Sequence, residues 1–247
     1  MIEVSSSDIQ NGLKDLGLKT GMMLEVHCSL SAFGHVLGGA ETVIEALMQS
    51  VGEEGAIVMP AFRLSQDMIL TVQDKAMGIV KKIRILSPDD KRTAMGLVAD
   101  TFRQRPDVVT GDGIFRACAW GKDAAIHAAK GFGHLIDHGG YALLMGVDIY
   151  RLSAMHYVEE ALPQAIRDRF QPSQTANEVY PQSEWLIESW ELAVKPWYTI
   201  QDMAYTKGLI ADITIGHAKC MLMEVKPVIS LYRQALETDP MGLYGLK

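Results

Sequence analysis

One stretch of this sequence pairs a histidine with carboxylates at helical spacing. His156, Glu159 and Glu160 stand in the run Met-His-Tyr-Val-Glu-Glu. On a helix, residues three and four apart are neighbours, so either carboxylate shares a face with the imidazole. A carboxylate orients the ring and raises its basicity, which is what a general base needs. An ordinary charged pair on a helix surface has the same spacing, so the pattern alone leaves both readings open. Zinc has less support, because H-x-x-E-E is neither H-E-x-x-H nor H-x-x-E-H.

A second candidate lies near the amino end. The apolar run Met22–Cys28 ends in His27, Cys28 and Ser29, and Gly34, Gly38 and Gly39 follow before a helical pattern begins. A strand feeding a glycine-bearing loop into a helix presents free backbone N–H groups, which together with the helix dipole favour an anion. The glycines match neither G-x-G-x-x-G nor G-x-x-x-x-G-K-[ST]. A plain turn that needs glycine for backbone freedom is the alternative. Cys118 is a third candidate, as a nucleophile paired with a distant histidine. Its neighbours Ala117, Ala119 and Trp120 suit a small buried hydrophobe instead.

The elements that must position these residues follow from periodicity. Ser7 with Gln10 gives a capping-box pattern for a first helix, and Gly17 a stop. Met22–Cys28 reads as a buried strand, Ala40–Val51 as an amphipathic helix and Ala56–Pro60 as a second strand. Strand, helix, strand in this space is a βαβ unit, so the sheet is at least partly parallel. Residues 61–92 show no clean period and read as an irregular flap. Further helices are expected over Thr93–Arg105, Lys122–Ala129, Ser153–Leu162 and His217–Leu236. Strands are expected near Ile114–Trp120 and at Ala142–Val147. The expected fold is α/β: a mixed, partly parallel central sheet flanked by helices, as a single domain over residues 1–247. The carboxyl ends of its parallel strands would carry the site.

Composition narrows the partners. The net charge is -7 and the strongest basic cluster is Val80–Arg84, so nucleic acid is a poor partner. An acidic surface can draw in a cationic substrate, or serve solubility alone. No apolar run approaches the roughly 20 residues that span a bilayer. The first ten residues lack the basic and apolar regions of a signal peptide. Cys28, Cys118 and Cys220 are widely spaced and odd in number, which suits a reducing cytoplasm rather than a disulfide framework. The expectation is a cytoplasmic protein, monomer or homodimer, that binds small molecules, with no membrane, nucleic-acid or metal partner.

Taken in order, these pieces resemble the aminoglycoside 3-N-acetyltransferase (antibiotic N-acetyltransferase) family. That family opens with a pattern like H-S-S-L-x-x-x-G-x-V-x-G-G. Here His27, Cys28, Ser29, Leu30, Gly34, Val36, Gly38 and Gly39 stand at those places, with Cys28 replacing a serine. Gly55–Pro60 resembles the following G-T-L-V-M-P strand, and Thr93–Gly96 with Phe102–Val108 resembles T-P-x-x-M-G and F-R-x-x-P-x-V. Leu143–Glu160 resembles the L-L-L-G-V strand and T-x-L-H-x-x-E helix, placing Ser153, His156 and Glu159. Ile215–Pro240 looks like the closing G-x-A helix. The resemblance implies an acyltransferase that moves an acetyl group directly from acetyl-CoA to an amine, as in antibiotic resistance. It implies that His156 is the general base, supported by Glu159. It also implies a groove for the CoA co-substrate formed by His27, Ser29, Leu30, Ser31, Gly34, Val36, Gly38, Gly39 and Thr93.

The chain departs from the pattern in three places. The family's R-S-x-H-P-x-x-S stretch is replaced by Thr110–Gly121, without its His, Pro or Ser. Gly131–Tyr141, with His134 and His138, stands where an S-P motif is usual. Residues 61–92 carry Lys81, Lys82 and Arg84 where the family has a Trp-rich acidic flap. Such cations would not suit a polycationic aminoglycoside if they line the site. The alternatives are a non-catalytic CoA-binding or partner-binding relative, and a hydrolase using Cys118.

Overall fold

The structure is a computed structural model that describes residues 2–192 and 195–246. Its strands are β1 (Glu3–Val4), β2 (Met23–Cys28), β3 (His35–Val36), β4 (Ala56–Pro60), β5 (Lys81–Arg84) and β6 (Val109–Thr110). They continue with β7 (Ala117–Gly121), β8 (Tyr141–Met145), β9 (Trp185–Glu188), β10 (Ile210–Ile215) and β11 (Ala218–Glu224). Seven of them form the main sheet, in the order β10-β11-β8-β2-β4-β7-β6. The central three are parallel, with Leu24 opposite Ile57 and Val26 opposite Leu143. The flanking pairs are antiparallel. The fold is therefore the expected mixed α/β sheet.

Alternation along the strands supplies two cores. Leu24, Val26, Ile57, Met59 and Leu143 face one side, against the helices Ser6–Leu16 and Gly39–Val51. Val58, Ala142, Leu144, Met221 and Met223 face the other, under the helices Pro196–Thr206 and Val225–Thr238. Strands β2, β4 and β8 run in one direction, so the loops after Cys28, Pro60 and Met145 emerge at one edge. Among the described residues, no helix is long and apolar enough to cross a membrane.

Several elements differ from the sequence-based expectation. The capping box of the first helix is formed by Ser5 and Asp8, not by Ser7 and Gln10, while Gly17 ends the helix with φ +103° as expected. The helix expected from Thr93 covers only Leu97–Phe102, because Asp100 accepts from Thr93 N–H and Oγ1, both at 2.8 Å, and holds Thr93–Gly96 as a turn. The expected helix His217–Leu236 begins in fact at Val225. Its first part is strand β11, turned from β10 at Gly216 with φ +60°. Cys220–Met223 are all buried, because β11 lies between two strands and has cores on both faces. That burial hides the period of 2.

The expected irregular flap is a small built unit. Residues 61–92 contribute β5 and the helix Val72–Ala76, and β5 pairs antiparallel with β9. Ile79, Ala176 and Ile187 form its own apolar cluster.

Candidate active site

The loop after β2 and the helical turns after β8 meet at the carboxyl edge of the parallel strands. Ser29 N–H donates to Met145 O at 2.9 Å. Gly146 has φ +67°, and a Cβ there would collide with Ala32. The two loops thus pack backbone to side chain, which only glycine permits.

A groove of about 640 Å³ opens beside this contact. Ser29, Leu30, Ser31 and Gly34 line it, together with Val36, Gly38 and Gly39. Gly38 and Gly39 both have positive φ, +82° and +67°, and lead into the helix Gly39–Val51. No side chain caps that helix, so its first N–H groups face outward with the positive end of the dipole. Leu97, Leu30 and Val36 make the walls partly apolar.

Two expected groove residues stand behind it. Thr93 does not line the cavity. Its hydroxyl accepts from Met95 N–H at 3.1 Å and so shapes the turn that brings Gly96 and Leu97 to the groove. His27 is 7% exposed, with Nε2 2.7 Å from the buried Glu25 Oε1. That same oxygen accepts from Ala154 N–H at 3.2 Å. The pair therefore ties the central strand to the turn just before His156. Leu97 and His35 line the groove without having been singled out in sequence.

His156 and Glu159 do come together. Nδ1 of His156 lies 2.7 Å from Glu159 Oε2, and the histidine side chain is 61% exposed. In the neutral ring the carboxylate accepts a hydrogen bond from Nδ1–H, which leaves the lone pair on Nε2. Glu159 is itself fixed: Trp197 Nε1–H donates to Oε1 at 3.1 Å. The Trp197 nitrogen also lies 3.3 Å from Tyr232 Oη, and Tyr232 and Tyr244 share a 2.5 Å hydrogen bond. Burial raises both tyrosine pKa values, so both hydroxyls stay protonated. The indole N–H thus sits between the Glu159 carboxylate and the neutral Tyr232–Tyr244 pair, facing an acceptor on each side. Trp197, Tyr232 and Tyr244 come from segments remote from His156, and no spacing rule marks them in sequence.

Other candidates fall away. Cys118 is fully buried and its thiol is pushed up to about 12, chiefly by burial. It is a core residue, not a nucleophile. Lys82 does not line the site: its ammonium is buried at 2.6 Å from Asp74. Lys81 pairs with Glu188, and Arg84 lies over Trp185. Among the described residues, no cluster of His, Cys, Asp or Glu is arranged to hold a metal ion.

Comparison with known proteins decides the family. The family model described as aminoglycoside 3-N-acetyltransferase matches residues 26–237. The chain belongs to the aminoglycoside 3-N-acetyltransferase family. It is thus an acyltransferase by family, with the groove and His156 inside the matched segment. The chain is 31% identical over 183 residues to the aminoglycoside N(3')-acetyltransferase-like protein YokD of Bacillus subtilis (strain 168). That alignment covers 64% of this chain and 66% of YokD. The fold matches the aminoglycoside acetyltransferase AAC(3)-IVa apoenzyme with TM-score 0.70 at 20% identity, over 99% of this chain and 92% of that one. It matches AAC-IIIb, whose structure is a binary complex with CoASH, with TM-score 0.67 at 17% identity, over 96% and 97% of the chains.

Proposed function

We propose that this acyltransferase moves an acetyl group from acetyl-CoA directly to the amine of a small molecule, with His156 as general base and Glu159 as its support. One observation carries the reading: an exposed imidazole whose Nδ1 is held at 2.7 Å by a fixed carboxylate, at the strand edge that also opens the groove. An ammonium is not a nucleophile, so the acceptor nitrogen must shed a proton, and Nε2 is the open lone pair to take it. That first proton leaves to solvent; the free amine then bonds to the thioester carbonyl carbon and gives a second proton to Nε2, the carbon–sulfur bond breaks, and this second proton passes to the departing thiolate.

The groove suits acetyl-CoA as the donor. Its apolar walls match the pantetheine arm, and the uncapped helix after Gly38 and Gly39 favours phosphate. CoASH in the AAC-IIIb complex supports this assignment. The acceptor class suggested by the relatives' names is an aminoglycoside amine. One domain over residues 1–247 would carry the whole site, and the three free cysteines suit a cytoplasmic setting.

The test is thiol release from acetyl-CoA against a panel of amines. His156→Ala is expected to lose about a hundredfold or more in kcat. Full rate in that variant on an amine the wild type accepts would end the base assignment. Failure of millimolar CoA to raise the melting temperature would end the groove assignment.

A further inference from the structure

The wall beside His156 is aromatic and carries a cation. Trp197 meets the His156 ring edge-on, with centroids 4.9 Å apart. Tyr150 stacks on Trp197 at 5.1 Å, and Tyr198 meets Tyr150 at 4.7 Å. The Lys195 ammonium lies over both tyrosines, 5.4 Å and 5.6 Å from the ring centroids. Ring faces hold an ammonium without consuming its N–H donors. Among the described residues, no carboxylate is paired with Lys195, which is exposed. Arg151, also exposed, closes the short turn Ile149–Arg151 that carries Tyr150 and adds a second positive charge there.

The nearby acids are occupied. Asp148 accepts from Tyr150 N–H at 2.9 Å and from the Tyr198 hydroxyl at 2.5 Å. Glu159 accepts from His156 on one oxygen and from Trp197 on the other. Glu160 is exposed and one helical turn beyond His156. Lys195 and Arg151 would repel a polycation at this wall.

We propose that the acceptor is a zwitterionic amine whose nitrogen meets His156 and whose anionic group, a carboxylate or phosphate, meets Lys195. This rests on the acetyl-transfer reading above. The ammonium first loses one proton to solvent; the nitrogen then forms the amide bond at the thioester carbon and gives a second proton to His156 Nε2. The carbon–sulfur bond breaks, and the thiolate takes that proton and leaves as free CoA. The aromatic stack between His156 and Lys195 sets the spacing between amine and anion.

The experiment measures thiol release with ω-amino acids from glycine to 6-aminohexanoate, with O-phosphoethanolamine, with diamines of matched length and with kanamycin. The best zwitterion is expected to exceed its matched diamine by about tenfold or more in kcat/KM, the worth of one well-placed charge contact. The carboxylate and phosphate arms show which anion is preferred. Lys195→Glu is expected to invert the order, and Lys195→Met to level it. A wild type that prefers the diamine or kanamycin, with turnover that depends on His156, overturns the acceptor class and leaves the transfer reading standing. An order unchanged in Lys195→Glu overturns the role of Lys195. No His156-dependent turnover on any of these amines ends the transfer reading, and this proposal with it.

Discussion

Trp197 donates its indole N–H to Glu159 Oε1 at 3.1 Å, from a helix 38 residues further along the chain. The contact fixes the carboxylate that fixes His156. It also places an aromatic wall where an acceptor would approach, because the same indole stacks on Tyr150. One side chain thus links the orientation of the proposed base to the shape of the proposed acceptor side.

Trp197→Phe separates those two roles. Phenylalanine keeps much of the packing but has no donor, so Glu159 loses a partner. We expect kcat to fall about tenfold, with stability changed by about 1 kcal/mol, the net worth of one hydrogen bond. The KM for acetyl-CoA should stay near the wild-type value, because Trp197 does not line the groove. Steady-state kinetics and a denaturant titration read these effects. A large rise in KM for acetyl-CoA with kcat intact would instead place the indole on the donor side.

Gly38 tests the groove. Its φ of +82° disfavours any side chain, and a Cβ there would collide with Thr42 Oγ1. The Thr42 hydroxyl cannot simply yield, since it donates to Leu37 O at 2.7 Å. Gly38→Ala should therefore cost about 1–2 kcal/mol of stability from backbone strain. It should also raise KM for acetyl-CoA and shrink the thermal shift given by CoA, leaving the affinity for the acceptor amine unchanged. An undiminished thermal shift would show that the helix start after Gly38 does not hold the donor.

The Asp74–Lys82 pair anchors the small unit formed by residues 61–92 and 174–188. Burial works against the Asp74 charge, but hydrogen bonds from Lys82, Tyr180 and Thr71 outweigh it and hold the carboxyl below its usual range. Its contribution is thus present above the ordinary carboxylate pKa and is lost as pH falls toward the depressed one. Asp74→Asn leaves a buried ammonium without its countercharge, a loss on the order of 3 kcal/mol. We expect early proteolysis within residues 61–92 in this variant, with CoA protection of the remainder retained. Unchanged cleavage at that segment would show that the pair does not hold the unit together.

These residues also mark what was legible in sequence. The parallel centre of the sheet was readable because Met23–Cys28 and Ala56–Pro60 are apolar runs bracketing an amphipathic helix. His156 and Glu159 were readable because their partnership is local, three residues apart. Seven of the nine expected groove residues line the cavity for a similar reason: they sit on one continuous loop. The link of Glu25 to Ala154, of Trp197 to Glu159 and of Lys195 to Tyr150 was not legible, since these partners lie far along the chain and only the fold brings them together. The flap misled because a unit held by one buried ion pair and three buried apolar residues has too few periodic positions to announce its strands. Strand β11 misled because burial on both faces erases alternation.

A last prediction concerns pH and the histidines of the segment around Gly131. His127 is 1% exposed, and its ring lies 5.1 Å from that of His134, which in turn lies 3.9 Å from His138. Burial and then the neighbouring His134 lower the proton affinity of His127, with Asp123 opposing and His138 adding to the effect. His134 is lowered in the same direction by burial, His138 and Lys130, with Asp137 and Asp123 opposing. Both rings are therefore neutral in the fold at pH values where the unfolded chain, titrating near about 6.5, already takes protons. The unfolded state binds more protons below that point, so stability falls as pH drops through it. We expect the denaturant midpoint to decline between about pH 7.5 and pH 5.5, where most carboxylates still hold their charge. His127→Leu should flatten part of that decline, because it removes the buried ring nitrogen Nδ1, which has no hydrogen-bond partner among the described residues. If His127→Leu loses as much stability over that range as the wild type does, the acid sensitivity has its source elsewhere.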